Sequence, residues 1–176
     1  MDGWGIIVGV VMGGVSSAVA AAPVVPKYLS VEHTRVVSAW LKEEPGVRVA
    51  EDADCRCDED LKRERTETVG SWNAKSNYHP YYVSGDFNHD GIADFAVGII
   101  DEGVSGKFRL VIFDGPFNKG AAPQPAFVSQ PLSLGEAMFY GPPRPTPYFL
   151  VVGAFESEGM VLQPTATGYD LKDTAQ

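Results

Sequence analysis

Hydrophobic and polar positions along the chain fall into blocks of two different periods. Val36, Val37, Trp40 and Leu41 recur at the spacing of one helix face, and Pro45 with Gly46 stops the run. Ser30 stands where an N-cap belongs, so the pattern predicts a helix over 31–44 with its apolar stripe turned to a core. Further along, residues 81–84, 95–100 and 108–113 are β-branched or aromatic runs of strand length, and 101–106 has the composition of a turn. Together they predict a β-meander of consecutive antiparallel strands. Residues 95–100 and 149–152 are apolar almost without a break, which predicts central strands covered on both faces.

The rest of the chain is less regular. Residues 114–147 are rich in glycine and proline and predict irregular structure around one short element near 132–139. A hairpin is expected from 148–155 and 159–163, and a last short strand over 169–171. Residues 58–69 hold helix formers but few apolar side chains, which suits a surface helix or an ordered loop. The expected fold class is α+β: a four- to six-stranded antiparallel sheet covered by the N-terminal helix.

Between the first two strands lies the most informative segment, Gly85-Asp-Phe-Asn-His-Asp-Gly-Ile-Ala-Asp94. Oxygen-bearing side chains recur at Asp86, Asn88, Asp90 and Asp94, with Gly91 inside the turn, which is the spacing of a calcium loop. Ca²⁺ takes roughly 6–8 oxygen ligands at about 2.3–2.6 Å, and alternate side chains around a tight turn can supply them. The expected ligands are Asp86, Asn88 and Asp90, then the Ile92 carbonyl, with Asp94 closing the site. An EF-hand would carry a bidentate glutamate at its twelfth position, where this chain has Val97, so a helix-loop-helix is not expected. Asx-rich turns also form without metal by capping their own backbone, so a metal-free loop is the competing reading.

Strand, D-x-N-x-D-G-x-x-D loop and strand over about 82–97 resemble one FG-GAP or VCBS-type repeat, whose usual form is G-D-F-N-G-D-G-x-x-D-[FL]-A-V. The main departure is His89 in place of a glycine. Such repeats commonly build seven-bladed propellers with calcium bracing the loops. One copy is found in 176 residues, so the resemblance implies the loop and its ligands but not a propeller.

Composition and charge narrow the partners. A 176-residue chain that is 44% hydrophobic can bury one substantial core. The net charge of −9 disfavours nucleic acid and anionic lipid. Lys62, Arg63 and Arg65 are interleaved with Asp58, Glu59, Asp60 and Glu64, the pattern of a solvated face. Residues 5–12 form an apolar segment followed by small residues, with Ala18 and Ala20 fitting an A-x-A site. The expectation is a signal peptide over 1–20, a tether over 21–29 and a single domain over 30–176. Asp2 and the lack of a basic residue ahead of the apolar segment are atypical of such a signal. Gly13, Gly14, Ser16 and Ser17 interrupt the alternative, a membrane anchor.

Other chemistry-bearing residues are scattered. Cys55 and Cys57 would close a very small ring if joined, so a bridge across a dimer, free thiols and soft-metal chelation all stay open. His33, His79 and His89 have no metal-ligand spacing, and no serine sits in a nucleophile elbow. Trp72, Tyr78, Tyr81 and Tyr82 crowd before the loop, while Phe139, Tyr140 and Tyr148 bracket the proline-rich segment. Most suit a core, and any left exposed could meet a carbohydrate or protein. The function expected is that of an exported, periplasmic or extracellular calcium-binding module in which Ca²⁺ rigidifies a β-hairpin. The alternatives are an exported hydrolase with paired carboxylates and a subunit of an extracellular assembly.

Overall fold

The computed structural model describes residues 24–68, 74–118, 120, 123–142, 144–157 and 159–173. The expected signal segment, tether residues 21–23 and Trp72 lie outside the described residues. The first helix, α1 (Val31–Leu41), begins where the sequence placed it: the Ser30 hydroxyl accepts from His33 N at 3.1 Å. It ends short of Glu44 because the chain tightens into a turn, with Glu43 N bonded to Trp40 O and Glu44 N to Leu41 O. Val36, Val37, Trp40 and Leu41 are all buried, as their spacing predicted.

A six-stranded antiparallel sheet forms the middle of the molecule. It comprises β1 (Val47–Val49), β2 (Tyr82–Gly85), β3 (Asp94–Asp101), β4 (Lys107–Phe113), β5 (Phe127–Val128) and β6 (Leu132–Ser133). Between β1 and β2 the chain forms two short helices, α2 (Asp52–Cys55) and α3 (Asp58–Thr66). A second antiparallel sheet, ordered β10-β9-β8-β7, is built from β7 (Glu136–Phe139), β8 (Val151–Ala154), β9 (Gly159–Thr165) and β10 (Gly168–Asp173). The fold is α+β, with no propeller among the described residues. The second sheet is recruited partly from the segment whose glycines and prolines suggested irregularity.

Strand alternation explains why β3 carries an unbroken apolar run. Phe95, Val97 and Ile99 face α1, where they join Val36, Val37, Trp40, Leu41, Val111 and Phe113 in one core cluster. Ala96 and Ile100 point the other way, into a larger cluster with Phe108, Leu110 and Ile112 of β4 and Met138 and Val152 of the second sheet. Both faces are therefore dry, one under a helix and one under a sheet. Each large aliphatic or aromatic side chain buried there contributes about 1.5–3 kcal/mol of hydrophobic stabilisation. Gly98 completes the inner face because a Cβ there would come within 2.9 Å of Tyr81 Cβ. Met138 N donates to Pro80 O at 2.8 Å, tying the second sheet to the chain entering β2.

Candidate functional site

β2 and β3 pair as far as Gly85 opposite Asp94, so the 86–94 loop leaves the sheet at one fixed point. Glycine is required at 85 because the Tyr140 ring occupies the place a Cβ would take. Tyr140 also donates its hydroxyl to Asp86 O at 3.0 Å. The loop then folds around its own side chains. Asp86 Oδ1 accepts from Asp90 N at 3.0 Å and Oδ2 from Gly91 N at 2.9 Å. Asn88 Oδ1 accepts from Asp90 N at 3.0 Å, while its amide donates to Asp90 Oδ2. Asp90 Oδ1 accepts from Ile92 N at 2.7 Å. The side chains at the first, third and fifth positions thus turn inward on backbone amides of one reversal.

Two positions explain the loop's residue preferences. Gly91 has φ +86° and His89 has φ +63°, both left-handed. The glycine usual at the fourth position of the resembled repeat would sit there without strain. His89 tolerates it while remaining exposed, with Nε2 in hydrogen-bond contact with Tyr148 O at 3.1 Å. Phe87 is buried beneath the loop and meets the Tyr140 ring edge-on.

Asp94 is fully buried and lies at the sheet end of the loop. Its Oδ2 accepts from Phe87 N at 2.8 Å and its Oδ1 from Gly115 N at 3.0 Å. Burial pushes its carboxyl above the usual carboxylate range, the two amides pull it back, and the charges of Asp114 and Asp90 add to the rise. Each Asp94 oxygen retains a second lone pair beyond its amide bond. Ile92 is exposed, and no hydrogen bond reaches its carbonyl among the described residues. Among the described residues no group of three or more His, Cys, Asp or Glu side chains stands ready to hold a metal ion. Nor does any Lys, Arg or His among them form an ion pair with Asp86, Asp90 or Asp94.

A second acid cluster was not legible in the sequence. Asp52 and Asp54 lie on α2, and both are neutralised. Arg65 of α3 pairs with Asp52, whose two oxygens also meet His79 Nδ1 at 3.0 and 3.1 Å. Tyr28 stacks on the His79 ring at 3.7 Å, and Arg65 donates to Tyr78 O. Arg48 holds both oxygens of Asp54 at 2.7 Å, which lowers that carboxyl below its ordinary value. No serine, threonine or cysteine is bonded to His79 among the described residues, and the ion pairs clamp α2 and α3 to the sheet.

Cys55 and Cys57, at the α2–α3 junction, are bonded to each other with Cα atoms 5.2 Å apart. Arg56 between them takes a left-handed conformation, φ +55°, which brings the two Cβ atoms round to one side. Both sulfurs are buried, so a dimer bridged through Cys55 or Cys57 is replaced by an internal link. Tyr78, Tyr81 and Phe139 are core, leaving Tyr82, Tyr140 and Tyr148 partly exposed. No helix among the described residues is long and apolar enough to cross a membrane. Comparison with protein-family models, curated proteins and solved structures returns no match.

Proposed function

We propose that the chain is an exported calcium-binding module whose 86–94 loop takes Ca²⁺ to stiffen the β2–β3 hairpin and hold a binding surface in place. One observation carries the reading: three carboxylates share a single loop without a cationic side chain paired to them among the described residues. A divalent cation would offset that charge. The donors are all oxygen, which suits Ca²⁺ and not a thiolate- or imidazole-seeking metal. Asp86, Asn88, Asp90 and the Ile92 carbonyl would supply the outer ligands, with Asp94 contributing its remaining lone pairs from below. The two Asp94 amide bonds leave that group less free than the others. Affinity in the weak extracellular range, a dissociation constant of about 10⁻⁴–10⁻³ M, is therefore expected.

The Cys55–Cys57 link accords with export, because disulfides persist in oxidising compartments. The partner surface would be the face beside the loop, where Tyr140 and Tyr148 pack edge-on at 5.8 Å and stay partly exposed, a chemistry suited to a carbohydrate or a protein. The test is a thermal melt in millimolar calcium and again in chelator. At roughly ten times the dissociation constant, calcium adds about 1.4 kcal/mol, or a few degrees of melting temperature. Asp90→Ala should remove that response. Identical melts with and without calcium for the unmodified protein would end the calcium reading.

A further inference from the structure

A cavity of about 310 Å³ lies away from the loop, between α3 and the second sheet. That volume is at the lower bound of small-molecule sites, roughly 300–1,000 Å³. Its floor is apolar and rigid: Phe139 on β7, and Val151, Gly153 and Ala154 on β8. The small residues at 153 and 154 are what leave the space open. Charge is confined to the walls.

The wall cations differ in what they already hold. Arg63 is engaged, bridging Glu156 across the cavity and reaching Asp60 at 3.8 Å. Arg144 is not. No ion pair reaches its guanidinium among the described residues, and its Nε is buried with no hydrogen-bond partner. Neighbouring atoms shield that Nε, so the terminal Nη donors are the ones a ligand in the cavity can reach. The neighbouring Lys75 ammonium is committed to Tyr140 O at 3.2 Å and adds positive charge on the same side. Glu64 and Glu67 line the α3 side. They restrict negative charge to the Arg144 end and disfavour a second negative charge on the ligand.

We propose that this cavity binds a small organic monocarboxylate, its apolar body on the Phe139–Ala154 floor and its carboxylate on the terminal Nη donors of Arg144. The two Nη atoms of a guanidinium present parallel N–H donors, a geometry that matches a carboxylate. This site is independent of calcium in the 86–94 loop.

Isothermal titration of the full chain with 3-phenylpropionate, 3-phenylpropan-1-ol and phenyl phosphate tests it. The carboxylate should bind with a dissociation constant of about 1 mM or tighter. It should bind at least tenfold more tightly than either the alcohol or the phosphate. Arg144→Gln should erase the preference for the carboxylate, and Ala154→Leu, which fills the floor, should weaken carboxylate and alcohol alike. Arg144→Lys retains the charge without the two-donor edge and should lose most of the preference, which covers the case of a glutamine variant that does not fold. Equal affinity for carboxylate and alcohol, no binding by the carboxylate, or an unchanged preference in either Arg144 variant would overturn the proposal.

Discussion

Two groups of aspartates sit on turns of this small fold and are satisfied by different means. On α2, Asp52 and Asp54 are each met by an arginine, and Asp52 by His79 as well. In the 86–94 loop, Asp86, Asp90 and Asp94 are met mainly by backbone amides, which cap their oxygens but bring no full positive charge. An ion-paired cluster is electrostatically complete and serves to join elements. An amide-capped one is geometrically complete but keeps its charge, and that surplus is what a divalent cation would answer.

The sharpest way to break this contrast is at Asp94. Asp94→Ala would leave the Phe87 and Gly115 amides buried without acceptors, at a cost of about 3–5 kcal/mol in chemical denaturation. Asp94→Asn retains one acceptor and removes the buried charge, so it should cost less than half as much. If alanine and asparagine were equally damaging, the two amide bonds would not be what Asp94 is for.

Next comes the clamp. Arg65→Met removes the partner of Asp52 and the donor to Tyr78 O, and should cost about 1–3 kcal/mol. Its melt should fall equally in calcium and in chelator, whereas the calcium increment of about 1.4 kcal/mol should vanish only when the loop is altered. A calcium response lost in the Arg65 variant would show that the two clusters are coupled and not separate.

Acid separates the clusters with opposite signs, and this is the smallest effect. Asp54 is held below its usual value of 3.8, chiefly by its hydrogen bonds from Arg48. Its stabilisation is complete above that value and is lost as pH falls through the folded-state value. Asp94 is raised above 3.8 by burial, so the fold favours its neutral form. Its contribution improves as pH falls through the raised value toward 3.8. Denaturation series in chelator should therefore show the Arg48→Met difference shrinking below about pH 3.8, and the Asp94→Asn difference changing at higher pH. Calcium should suppress the second change, because it needs the ionised carboxylate.

Local pattern was enough for the parts of the fold that depend on neighbours in sequence. The α1 stripe, its Ser30 cap and the strand runs at 95–100 and 108–113 all follow from side-chain period and burial. The loop's turn could be read from Gly91 and the alternate oxygens for the same reason. Less legible were features set by one dihedral or by distant pairing. The Cys55–Cys57 link depends on the left-handed turn at Arg56, which no residue preference announces. Asp52 and His79 lie 27 residues apart, and their meeting depends on how α2 packs beside β2.

The sequence by itself determined an α+β chain, a dry central strand pair and an oxygen-rich loop between β2 and β3, because each is encoded in contiguous residues. Tertiary structure alone decided that a second sheet covers the inner face, that Asp94 turns its oxygens to Phe87 and Gly115, and that Arg144 stands unpaired over an apolar floor. Those outcomes are settled by which surfaces meet after the chain has folded back on itself.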